Sequence, residues 1–207
     1  MQLLANTTSP YVRIVQIAMI EKGLDPELII VDPWADDPRL RAANVATRVP
    51  SLILDDGTPL TESVLIAQWL EITRPAPQWP SLLGDANHCA GILSRTGVAL
   101  GGIDASVITL ITRKVTAPTL FDDTPIGQRR QRTMIEAMNR VDELFANADI
   151  ASLTGQPPTL DIICAITLFD YQQFRYGDQP WLPKTPRLRA LSEAMCARAS
   201  VRETLPR

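Results

Sequence analysis

Two hydrophobic rhythms run along this chain. Up to about residue 73, short apolar runs alternate with helical stripes; beyond residue 84 only helical stripes occur. Gln2–Ala5 is apolar enough for a strand. Residues 6–9 read as a loop. Ser9 suits the cap of a following helix and Pro10 its first position. Val12, Ile14, Val15, Ile17, Ala18 and Met19 give that helix its apolar face, and Gly23 stops it. The β-branched run 28–31 predicts a second strand, residues 32–38 a loop, and residues 39–44 a short helix. Residues 51–54 predict a third strand. Asp55-Asp56-Gly57 is a tight-turn signal, and residues 58–61 would return as a fourth strand. Pro59 makes that strand short or places it at an edge. Ser63 is then expected to cap a helix carrying Leu65, Ile66, Trp69 and Leu70.

The predicted order is strand–helix–strand–helix–strand–strand–helix. The first two strands can pair in parallel through the crossover helix, and the last two form an antiparallel hairpin. That is an α/β thioredoxin-like layout. The pattern breaks at Arg74-Pro75-Ala76-Pro77-Gln78-Trp79-Pro80, where three prolines exclude a continuing helix. We therefore expect a thioredoxin-like domain over residues 1–76, a linker over 77–84 and an all-helical domain over 85–207. In the second half, Met134, Met138, Val141 and Phe145 form one helical stripe, and Leu188, Leu191 and Met195 another. Residues 160–169 are apolar nearly all round, as in a buried central helix. Gly97 and Gly101 share a helix face and are expected to serve close helix packing.

Composition narrows the function classes. The 207 residues are 45% hydrophobic and 21% charged, with a net charge of −3, which does not favour nucleic acid or anionic membrane as a partner. Arg129, Arg130 and Arg132 are expected on a solvated helix face. No apolar run approaches the ~18 residues of a membrane span, and no signal peptide is visible. Cys89, Cys164 and Cys196 are odd in number and widely spaced, which fits a reducing cytoplasm and no metal site. His88 is the only histidine, and no nucleophile-elbow motif accompanies it. It is expected at a surface helix start.

Three places could carry chemistry. Thr8-Ser9-Pro10-Tyr11 puts hydroxyls beside the unpaired N–H groups at a helix start, a setting for a bound anion such as a thiolate. Ser9 could equally be a plain cap. Val49-Pro50 precedes a strand; a cis bond there would turn the Val49 N–H and C=O outward for an extended peptide. Glu62-Ser63 at another helix start could hold the ammonium and carboxylate of an amino-acid head, or could only cap the helix.

In this order and spacing the chain resembles bacterial glutathione transferases over nearly its whole length. The stretches that carry the resemblance are Thr8-Ser9-Pro10-Tyr11-Val12-Arg13, Glu21-Lys22-Gly23-Leu24, Asp32-Pro33-Trp34-Ala35-Asp36, Arg48-Val49-Pro50-Ser51-Leu52, Leu60-Thr61-Glu62-Ser63, and the segment from Thr159-Leu160 to Phe174-Arg175. The resemblance implies glutathione as co-substrate, a small apolar electrophile as second substrate, no metal, and a cytoplasmic homodimer. Ser9 would meet the glutathione sulfur, with Thr8 next in line. Val49, before a cis Pro50, would pair with the cysteinyl part. Glu62 and Ser63 would grip the γ-glutamyl head, Arg48 would lie near the glycine carboxylate, and Tyr11 would face the second-substrate opening. Residues 97–104 would line that second site. Serine at position 9 favours conjugation, isomerisation or peroxide reduction over mixed-disulfide chemistry. The alternative is a non-catalytic relative that acts as a binding or interaction module.

Two departures from the family pattern stand out. Asn44-Val45-Ala46-Thr47-Arg48 lacks the usual proline and glycine before Val-Pro. Asp161 stands one position earlier than the acidic residue expected after the capping Thr159.

Overall fold

A computed structural model describes residues 1–116 and 120–207. The first half is a four-stranded mixed sheet in the order β2-β1-β3-β4. Strands β1 (Gln2–Ala5) and β2 (Glu27–Ile30) pair in parallel through helix α1 (Pro10–Glu21). Strands β3 (Ser51–Ile53) and β4 (Pro59–Thr61) run antiparallel, and Pro59 does lie in an edge strand. Helix α2 (Pro38–Ala43) covers one face, where Leu40 packs on Leu4 and Val31. Helix α1 and helix α3 (Ser63–Thr73) cover the other, around Leu3, Ile14, Val15, Ile66 and Leu70. The turn at 55–57 closes with Gly57 at φ +86°, a conformation that favours glycine.

The second half is helical: α4 (Cys89–Thr116), a 3-10 turn (Phe121–Asp123), α5 (Pro125–Leu144), α6 (Ile150–Thr154), α7 (Leu160–Tyr176), α8 (Pro186–Met195) and α9 (Ala199–Arg202). The α/β thioredoxin-like half followed by a helical half is the layout expected from the sequence. Met134, Met138 and Val141 on α5 are buried, and α7 is buried nearly all round, as its apolar run requires. Helices α4 and α7 run side by side in the same direction. Arg95 pairs with Asp161 near their starts, the Tyr176 hydroxyl donates to the Ser106 carbonyl at 2.6 Å, and the Arg113 guanidinium lies over the Tyr176 ring at their ends.

Three local expectations are corrected. Ser63 is the first residue of α3; Glu62 holds the cap position, and its side chain makes no capping bond. Gly97 and Gly101 face open space, so they serve no close packing. The glycine that does is Gly102, where an added Cβ would lie 2.8 Å from the Ala137 Cβ and 2.9 Å from Leu168. Thr159 caps α7 by position only. Its hydroxyl donates to the buried Asp161 carboxylate, which also pairs with Arg95 at 2.6 Å.

The two halves are joined by buried charge. Arg13 on α1 pairs with Asp170 on α7 at 2.7 Å, and Glu21 takes Arg198 at 2.6 Å. Lys22, fully buried, donates to Glu71 at 2.6 Å and to the Arg74 carbonyl at 2.8 Å. Glu71 also accepts from the Ser81 hydroxyl and from the Leu82 N–H, which fastens the proline-rich segment to α3. Among the described residues no helix is long and apolar enough to cross a membrane. His88 is exposed, with a ring nitrogen 2.8 Å from Asp85 just before α4. On α5, Arg129 and Arg132 are exposed and Arg130 is half-buried.

Candidate functional site

A cleft of about 540 Å³ opens between the loops at one end of the sheet and helices α4 and α7. That volume lies within the range of ~300–1,000 Å³ usual for small-molecule sites. Ser9, Tyr11, Arg48, Val49, Pro50, Glu62 and Ser63 all line it. Residues separated by some fifty positions in sequence are thus brought together by the pairing of β1 with β3 and of β3 with β4.

Ser9 caps α1. Its Oγ accepts from the Val12 N–H at 3.3 Å, which leaves its own proton to donate. The neighbouring Thr8 hydroxyl is committed: it donates to Asn6 Oδ1 at 2.8 Å, beside a 3.0 Å bond from the Thr8 N–H to the same oxygen. The Val49–Pro50 peptide bond is cis, and so is Ala76–Pro77, which sequence reasoning did not single out. Val49 makes no backbone hydrogen bond within the described residues, so its N–H and C=O are open for pairing.

The loop before Val49 holds its shape without the missing proline and glycine. The Asn44 amide donates to the Arg48 carbonyl at 3.1 Å and accepts from the Ala46 N–H at 2.9 Å. Thr47 takes the left-handed conformation, φ +50°, that a glycine would adopt at less cost. Glu62 is likewise left-handed, φ +67°, at the start of α3. Non-glycine residues held there concentrate at functional sites. Arg48 and Glu62, both exposed, form an ion pair across the cleft mouth. Ser63 is buried at the first turn of α3, beside N–H groups with no intrahelical partner.

The Tyr11 hydroxyl donates to Asp104 on α4. Burial, then the hydrogen bond to that carboxylate and its charge, push the Tyr11 hydroxyl far up, so it stays protonated at neutral pH. Of residues 97–104, Asp104 alone lines the cleft. The rest of the α4 wall is Val107, Leu110, Ile111 and Lys114, and α7 contributes Tyr171 and Arg175. Sequence reasoning missed these residues, although the step from Asp104 to Val107, Ile111 and Lys114 follows one helix face. The wall is therefore mixed, not purely apolar. Among the described residues no His/Cys/Asp/Glu group could hold a metal ion.

Comparison with known proteins finds the same fold. Residues 3–78 match the family described as "Glutathione S-transferase, N-terminal domain". The chain is 26% identical over 206 residues to the GST-like protein YibF of Escherichia coli (strain K12), covering 100% of this chain and 98% of that one. A glutathione S-transferase from Methylobacterium radiotolerans, solved with glutathione sulfonate, superposes with a TM-score of 0.85 at 29% identity, covering 99% of this chain and 94% of that one. A second, from Methylobacillus flagellatus with glutathione bound, gives a TM-score of 0.82 at 25% identity, over 100% and 99% of the two chains.

Proposed function

We propose that the chain is a glutathione transferase family member that binds glutathione in this cleft and activates the thiol for attack on an electrophilic carbon, a reading supported by its similarity to such proteins over its whole length. The observation that carries the reading is Ser9, with a spare hydroxyl proton at the N-terminus of α1.

Binding begins with the γ-glutamyl head. Its carboxylate goes to Ser63 and the free N–H groups of α3, and its ammonium goes to Glu62. Glu62 must first release Arg48. Both side chains are exposed, and such a pair contributes only ~0–1 kcal/mol, so the exchange is cheap. Arg48 is then free to turn to the glycine carboxylate. The cysteinyl backbone pairs with the open N–H and C=O of Val49, in the manner of strand addition.

That pairing brings the sulfur to Ser9. A free thiol has a pKa near ~8.5, and lowering it by two units takes ~2.7 kcal/mol of preference for the thiolate. A helix N-terminus supplies ~0.3–2 kcal/mol and a hydroxyl donating to an anion ~1.5–3 kcal/mol. Together they suffice. Ser9 is a hydrogen-bond donor in this scheme and not a nucleophile, because among the described residues no base is hydrogen-bonded to it. Thr8 is the weaker candidate, since its proton is held by Asn6.

Calorimetric titration with glutathione tests the binding step. Wild type should bind in the micromolar to millimolar range, and Glu62→Ala should weaken binding at least about tenfold, the loss of a ~1.4 kcal/mol charge-assisted contact. Absence of binding to wild type would refute the proposal.

A further inference from the structure

Beyond the thiol position the cleft wall carries two cations that have no carboxylate partner among the described residues. Along α4, Asp104, Val107, Ile111 and Lys114 follow at steps of three, four and three, and all four line the cleft. Asp104 receives the Tyr11 hydroxyl. Lys114 lies about 15 Å further along the helix axis by its rise per residue. It has no carboxylate within ion-pairing distance among the described residues, whereas its neighbour Arg113 is held by Asp122 at 2.6 Å. From α7, Tyr171 and Arg175 stand one turn apart on the same wall. The Arg175 guanidinium rests over the Phe174 ring at 4.4 Å, and its Nε is buried with no hydrogen-bond partner. Because α4 and α7 run in parallel, with Arg113 over Tyr176, Lys114 and Arg175 lie at the same end of the cleft.

Two like charges sharing one cavity favour an anion between them, and an Arg fork suits a carboxylate. We infer that the second substrate is an electrophile bearing a carboxylate, held by Lys114 and Arg175, with its apolar portion against Val107, Leu110 and Ile111. Tyr171 also borders Ser9 and Pro10. Arg175 is one helical turn beyond Tyr171 and so is the nearer of the two cations to the thiol position, with Lys114 further along the cleft. The inference rests on the glutathione reading above. The transfer is a displacement: the thiol proton leaves to solvent, the sulfur–carbon bond forms, and a halide departs with the electrons of its bond to carbon. Lys114 and Arg175 orient the substrate and take no part in bond making.

Calorimetry with two glutathione conjugates tests this without requiring turnover. S-(4-carboxybenzyl)glutathione should bind wild type at least about tenfold more tightly than S-benzylglutathione. In Lys114→Ala and in Arg175→Gln the ratio should fall towards one. Cations that serve only the C-terminal helix dipoles would leave the two conjugates equal in wild type, and that result overturns the inference. So does a preference that survives both substitutions. If wild type binds neither conjugate nor glutathione itself, the glutathione reading has failed and this inference falls with it. If glutathione binds and the conjugates are equal, only the carboxylate site is lost.

Discussion

Thr8 and Ser9 differ in what their protons do. Both hydroxyls sit at the start of α1, but Asn6 holds the proton of Thr8 while Ser9 accepts from Val12 and keeps its own. A hydroxyl beside Pro10 is legible in the sequence. Which hydroxyl has a spare proton is not, because that depends on how the loop of residues 6–9 turns. Glycines teach the same lesson. Gly97 and Gly101 are spaced for a packing role, yet Gly102 is the one at a close contact, since the rotation of α4 about its axis is set by Ala137 and Leu168. Gly102→Ala should destabilise the fold by about 1–3 kcal/mol through overpacking. Gly97→Ala, with open space for the new methyl, should stabilise it by roughly 0.5–1 kcal/mol through helix propensity. Denaturant titration of both variants checks the pair, and equal effects would place the α4 contact elsewhere.

At the scale of elements, β1, α1, the edge position of β4, and the two apolar stripes and the buried run 160–169 of the helical half follow from periodicity and from Pro and Gly placement. The start of α3 lies one residue earlier than the pattern predicts, because Glu62, with its positive φ, and not Ser63 holds the cap. The proline-rich segment was legible as a break, but not as a pinned element. Its anchor is Glu71. Burial raises the Glu71 carboxyl, but the Lys22, Ser81 and Leu82 contacts outweigh it and hold it below the usual glutamate range. A depressed carboxyl contributes stability above its unfolded value of ~4.3 and loses it as pH falls through the folded value. Wild type should therefore lose stability below about pH 4.5 more steeply than Glu71→Gln. At neutral pH, Glu71→Gln should cost about 3 kcal/mol by leaving the fully buried Lys22 without its counter-ion. Urea unfolding across that pH range measures both effects, and parallel pH profiles would show that Glu71 carries no linked proton.

For the whole molecule, the cleft lies between two halves that share one apolar core and are pinned by Arg13–Asp170 and Glu21–Arg198. The sheet side supplies Ser9, Val49, Glu62 and Ser63, all recognisable from ordered motifs. The helical side supplies Asp104, Lys114 and Arg175; Arg175 closes a stretch that carries the resemblance and Asp104 falls in the segment expected at the second site, but no motif marks Lys114, and only the parallel packing of α4 and α7 brings the three to one cleft. The central claim is that this cleft turns a glutathione thiol into a thiolate by way of Ser9. Its most direct test is the ultraviolet thiolate absorbance of bound glutathione, followed against pH in wild type and in Ser9→Ala. The account predicts an apparent pKa about two units below the free value of ~8.5 in wild type, and a rise of at least one unit in the variant. A bound thiol that titrates like free glutathione in wild type, or one that is unmoved by Ser9→Ala, would contradict it.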